Sequence, residues 1–92
     1  MVWLITYDIA DDRRREAVAA LLAAWGARVQ YSVFECEFPD ATVAADILHR
    51  VEELIDALDD QVRVYRLPGE GAGGVQIMGR RRLEEREDFW IV

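Results

Sequence analysis

Strand-forming and helix-forming stretches alternate along this 92-residue chain in the order strand, helix, strand, strand, helix, strand. That order predicts an α+β, ferredoxin-like βαββαβ fold, in which an antiparallel sheet carries both helices on one face. Two further observations extend the prediction. The first strand is apolar on both sides, so the sheet face away from the helices also needs a cover. Apolar segments remain after the sixth element, which predicts an extra C-terminal strand. A homodimer with packed sheets and exchanged C-terminal strands meets both needs.

The first strand covers 2–9. Val2, Leu4 and Thr6 share one face, and Trp3, Ile5, Tyr7 and Ile9 share the other. A helix follows over 12–25, with Asp11 or Asp12 as its N-cap and Ala17, Val18, Leu21, Leu22 and Trp25 as its apolar stripe. Gly26 stands just past it as a stop signal. The β-rich run from Arg28 to Phe38 is long for one strand and predicts two short strands with a tight reversal. Gln30-Tyr31-Ser32 contains no strong hairpin signal, so the turn is not placed.

Pro39-Asp40 ends that run, and a second helix follows over about 42–58. Val43, Ile47, Val51, Leu54, Ile55 and Leu58 recur at helical spacing, while Asp46, Arg50, Glu53 and Asp56 fall on the wet side. Asp59-Asp60 make a turn, and 61–67 is the next strand. The glycine-rich stretch 68–74 reads as a flexible loop. It lacks the Lys-Ser/Thr ending of a phosphate cradle. Residues 75–78 form a short strand. The expected division is a ferredoxin-like domain over 1–78 and a tail over 79–92, whose apolar end at 89–92 forms a strand in the dimer or with a partner.

Composition narrows the function. The single cysteine, Cys36, excludes an internal disulfide framework and suits the reducing cytoplasm. No stretch is long and apolar enough to span a membrane, and no secretory segment is apparent. The net charge of −7 argues against a general nucleic-acid coat. The acids concentrate over 39–60, where Arg50 is the sole arginine, so basic patches at 13–15 and 80–82 remain compatible with local phosphate contacts.

Asp8 is the carboxylate that an apolar strand delivers to its own end. Two readings stand: it begins the turn that Asp11 and Asp12 complete, or it is a metal or catalytic carboxylate. One aspartate is too little to hold magnesium, which takes oxygen ligands in octahedral geometry. A two-fold axis near Asp8 would set two such carboxylates face to face, so dimerisation would complete a site. Arg13, Arg14 and Arg15 either hold phosphates beside it or form ion pairs with Asp11, Asp12 and Glu16. His49 lies off the apolar stripe and is expected at the surface. Cys36 between Glu35 and Glu37 is expected buried and inert.

Several motifs together carry a resemblance. They are Tyr7-Asp8-Ile9, the Asp-Asp-Arg-Arg-Arg helix start over 11–15, the Gly26 to Cys36 run, and the strand over 62–67. The most specific part is Arg28-Val29-Gln30, Ser32-Val33-Phe34 and Glu35-Cys36. In order and spacing they resemble the small CRISPR-associated Cas2 family along essentially the whole chain. The resemblance implies a cytoplasmic homodimer of antiviral defence that works with the CRISPR integrase, Cas1, in acquiring new spacers. It implies a metal-dependent endonuclease acting on RNA or DNA, with Asp8 of each subunit binding magnesium or another divalent cation. Tyr7, Ser32 and Phe34 would support that site, and Arg13, Arg14, Arg15 and Arg28 would contact nucleic acid. The alternative is a non-catalytic dimeric adaptor that bridges two copies of the integrase and positions the DNA.

Overall fold

The computed structural model describes residues 2–67 and 75–79. Its elements run β1 (Val2–Asp8), α1 (Asp12–Ala23), β2 (Gly26–Gln30), β3 (Val33–Glu37), α2 (Ala41–Leu54), β4 (Gln61–Leu67) and β5 (Val75–Gly79). The strands form one sheet in the order β2-β3-β1-β4-β5, antiparallel at every pairing. This is the predicted βαββαβ arrangement, with β5 added beside β4. β1 lies at the centre, paired to β3 and β4, both of which come later in the chain.

The pleat sorts side chains between two faces. Trp3, Ile5 and Tyr7 of β1 share a face with Phe34 and Cys36 of β3 and with Val62 and Val64 of β4. These residues, Trp3 partly and the rest fully buried, pack with Val18 and Leu22 of α1 and Ala44, Ile47, Leu48 and Val51 of α2 into one core. Phe38 closes one end of it, tilted against Trp25 at 5.6 Å and edge-on to Trp3 at 6.0 Å between ring centroids. The opposite face carries Val2, Leu4, Thr6 and Asp8.

Helix boundaries follow local hydrogen bonding. The Asp11 side chain accepts from Arg14 N (3.0 Å), and the Asp40 side chain accepts from Val43 N (2.9 Å), so both are N-caps. α2 stops at Leu54, four residues before the expected end. The cause is Asp56, whose carboxylate accepts from the backbone N–H groups of Leu58 (2.8 Å) and Asp59 (3.2 Å). That local turn competes with another helical turn. Leu58 is consequently 83% exposed and does not join the apolar stripe.

The reversal between β2 and β3 falls at Tyr31–Ser32, beside a register shift between Arg28 and Gln30. Such a bulge hides the hairpin from pattern reading. Gly26 serves differently from the expected helix stop: it opens β2, where a Cβ would run into the Glu35 carbonyl. Gly79, at φ 91°, ends β5 one residue past the predicted strand, where a Cβ would run into the Asp60 carbonyl. The loop at 68–74, the arginines at 80–82 and the apolar segment at 89–92 lie outside the described residues. Among those described, no helix is long and apolar enough to cross a membrane.

Candidate functional site

Asp8 is the last residue of β1. It is exposed, on the sheet face away from the helices, and in register with Gln61 of β4. On its other side, the β1–β3 pairing ends at Thr6 and Val33, followed by one more hydrogen bond from Tyr7 N to Ser32 O at 3.1 Å. The carboxylate thus stands where β3 has already turned away, at a notch in a rigid sheet. Asp8 and Tyr7 point to opposite faces, so the Tyr-Asp pair serves two different environments.

The turn after Asp8 is held from both sides. Arg15 Nη1 donates to Ile9 O at 2.8 Å, and Ala10 N donates to Asp60 Oδ1 at 3.0 Å. Asp60 is fully buried, immediately before β4. It also accepts from Arg14 Nε (2.7 Å), from Arg14 Nη2 (3.2 Å) and from Asp56 N (2.8 Å). One carboxylate thereby ties together the β1–α1 turn, the first turn of α1 and the α2–β4 turn. Burial works to raise its pKa, yet the hydrogen bonds from Arg14, Asp56 and Ala10 outweigh it and hold the carboxyl below its ordinary value. The same pair raises the pKa of Arg14, with the hydrogen bond to Asp60 as the leading cause.

The arginines at 13–15 therefore differ from one another. Arg13 is exposed, Arg14 is engaged with Asp60, and Arg15 bonds Ile9 O and Asp12. Partial desolvation works against the charge of Arg15, and hydrogen bonds to Asp12 and Tyr31 outweigh it and raise its pKa. Arg28 is exposed on β2, its guanidinium 5.3 Å from the centroid of Phe34 and 5.8 Å from that of Tyr31. Phe34 is buried and stacks on Tyr7 at 6.3 Å. Ser32 acts through its backbone carbonyl, which anchors Tyr7.

Asp60 and Tyr31 are the residues that sequence reasoning missed. Asp60 reads as half of an Asp-Asp turn, and its partners lie 46 and 50 residues away. Cys36 is buried as expected, and burial pushes its thiol pKa up to about 11. His49 is exposed beside Glu53 at 3.2 Å.

As a metal ligand, Asp8 offers the hard oxygen that magnesium prefers. Among the described residues no group of three or more His, Cys, Asp or Glu side chains is gathered for a metal. Asp8 supplies one such donor, fewer than an octahedral ion takes, so the described residues of one chain do not by themselves make up a magnesium site.

The family model described as "CRISPR associated protein Cas2" matches residues 1–73. The chain is 42% identical over 92 residues to "CRISPR-associated endoribonuclease Cas2 2" of Synechocystis sp., an alignment covering 98% of this chain and 97% of that protein. It is 36% identical over 91 residues to "CRISPR-associated endonuclease Cas2 2" of Thermus thermophilus, covering 99% and 96%. In structure it is similar to Streptococcus pyogenes Cas2, with a TM-score of 0.69 at 36% identity over 79% of this chain and all of that one. A hypothetical protein of Thermus thermophilus gives the same TM-score, 0.69, at 39% identity over 82% of this chain and 93% of that one.

Proposed function

Since the chain belongs to the Cas2 family of CRISPR-associated proteins, we propose that two copies form a two-fold dimer whose paired Asp8 carboxylates serve a magnesium-dependent phosphodiester hydrolysis. The dimer would act in spacer acquisition beside the CRISPR integrase, on RNA or DNA. The observation that carries this reading is the placement of Asp8: exposed, at the notch where β3 leaves β1, on the sheet face opposite the helices. That face carries the apolar Val2 and Leu4, which a second sheet would cover.

Each residue around Asp8 has a definite part. β1 fixes the carboxylate from within the sheet, and Arg15 and Asp60 fix the turn that follows. Positioning of this kind keeps a ligand set in place without reorganisation. Asp8 from each subunit would hold the magnesium ion, which supplies charge to polarise a phosphodiester and activate water. Arg13 and Arg28, both exposed, would contact the nucleic-acid backbone.

A second reading is an adaptor without catalysis, which bridges two integrase copies and positions DNA. The acid-rich stretch over 39–60 and the engagement of Arg14 and Arg15 within the fold favour it, because these two arginines are then not free to grip a substrate unaided. One substitution separates the two. Asp8→Asn is expected to abolish magnesium-dependent cleavage while the dimer persists in sedimentation. Cleavage that survives in the mutant, or in excess chelator, refutes the hydrolytic reading. The adaptor reading expects the same mutant to support spacer integration with the integrase.

A further inference from the structure

A cleft of about 410 Å³ opens on the helix side of the sheet, lined by Tyr7, Asp12, Arg15, Glu16, Arg28 and Tyr31 together with Ala19. Its volume falls within the range of small-ligand sites, about 300–1,000 Å³. It is separate from the Asp8 carboxylate, which points to the other face. Three observations bear on what it takes. First, Tyr31 is 71% exposed at the β2–β3 turn, with the Arg28 guanidinium over its ring. An aromatic ring left in water beside a planar cation is a stacking platform. Second, the Tyr7 hydroxyl is buried and, among the described residues, is the buried side-chain polar atom with no hydrogen-bond partner. An unsatisfied buried hydroxyl is costly, and a ligand bearing a polar edge would relieve it. Third, the cleft lining carries two arginines, Arg15 and Arg28, and two carboxylates, Asp12 and Glu16, with Arg15 paired to Asp12. A phosphate would meet both signs of charge, whereas a neutral group with donors and acceptors would be matched.

We infer that this cleft binds an unpaired nucleobase, stacked on Tyr31 and presenting its polar edge toward Tyr7. The inference rests on the reading of the chain as one that acts on nucleic acid, and it specifies the ligand as single-stranded. In a blunt duplex the bases are stacked and paired inside and cannot enter. Tyr7 and Asp8 are consecutive but point to opposite faces, so a strand with one base in the cleft would have to cross the end of the sheet to meet Asp8. Arg28 is the exposed part of the cleft wall whose displacement gives a base access to the covered hydroxyl, while Tyr31 stays in place as the platform.

The test is binding of fluorescein-labelled single-stranded DNA and RNA octamers, and of a blunt DNA duplex, by anisotropy in excess chelator. Tyr31→Ala is expected to weaken both single strands about tenfold or more and leave the duplex unchanged, in line with loss of one base–aromatic stack. Tyr31→Phe retains the ring and is expected to retain single-strand affinity. Tyr7→Phe is expected to weaken single-strand binding while leaving the thermal midpoint equal to or above wild type, since it deletes an unsatisfied group. Equal losses on duplex and single strands, or no loss on either, overturn the cleft while leaving a nucleic-acid function intact. Failure of the wild type to bind any of the three probes overturns the cleft, while the cleavage assay on Asp8→Asn, run with magnesium, decides the functional reading separately. A difference between the DNA and RNA octamers assigns the sugar preference.

Discussion

Asp60→Ala is the substitution that tests how the turn beyond Asp8 is held. The wild-type carboxylate is fully buried and accepts from two backbone N–H groups, Ala10 at 3.0 Å and Asp56 at 2.8 Å, besides Arg14. Alanine leaves both amides without their partner. A buried donor stripped of its acceptor costs about 1–3 kcal/mol. Two partly buried donors thus give an expected loss of about 2–6 kcal/mol, a large share of the ~5–15 kcal/mol that holds a small domain folded. At roughly 4–8 °C per kcal/mol for a domain of this size, the thermal midpoint should fall by about 10 °C or more. Scans at fixed protein concentration, wild type beside variant, read the difference.

The sign of the pH dependence is fixed by the same contacts. Asp60 has a lowered pKa in the fold, so its contribution is fully present above the ordinary value of 3.8 and is lost as pH falls through the lowered one. The gap between wild type and Asp60→Ala should therefore narrow in acid below 3.8. A midpoint change under about 3 °C, or a gap that widens in acid, refutes the reasoning. Hydrogen exchange gives an independent view: the Ala10 amide should be protected in wild type and exposed in the variant.

Three other outcomes are expected. Ile47→Ala should cost about 2–5 kcal/mol in a denaturant titration, while Leu58→Asn should stay within about 0.5 kcal/mol of wild type, because α2 ends before Leu58 can pack. The Cys36 thiol, buried with its pKa pushed up to about 11, should react with a disulfide reagent at neutral pH only after denaturant opens the fold. Rapid labelling of the native protein would show that β3 is less protected than its position implies.

The fold was legible because its signals are local. Strand β4 matches the prediction end to end, and Val18, Leu22, Ile47 and Val51 are buried as their helical spacing requires. Asp11 and Asp40 cap the helices that follow them, as short side chains at such positions do. The errors lie where a side chain competes with the backbone pattern. Asp56 ended α2 early by bonding its own turn, and the bulge at Arg28–Gln30 hid the hairpin. Of the candidate site residues, the end-of-strand position of Asp8 was legible in the sequence, and the structure sets Asp8 exposed at the end of β1 and Arg28 exposed beside the buried Phe34 ring. The role of Arg14 was not, since its partner Asp60 is 46 residues distant and nothing in an Asp-Asp pair marks which carboxylate will be buried.

The centre of the sheet has a bearing on the order in which this molecule assembles. β1 is the first strand of the chain, yet both of its neighbours arrive later, and the knot at Asp60 joins residues 46 and 50 positions apart. Helix α1, the β2–β3 hairpin and helix α2 draw on local contacts and can form early. The pairing of β1 with β4 closes a long loop, which makes it a late step. Asp8, near the start of the chain, thus acquires its fixed setting only once Gln61–Leu67 has docked. Without that pairing nothing fixes the carboxylate at the end of the sheet, so its geometry belongs to the completed fold.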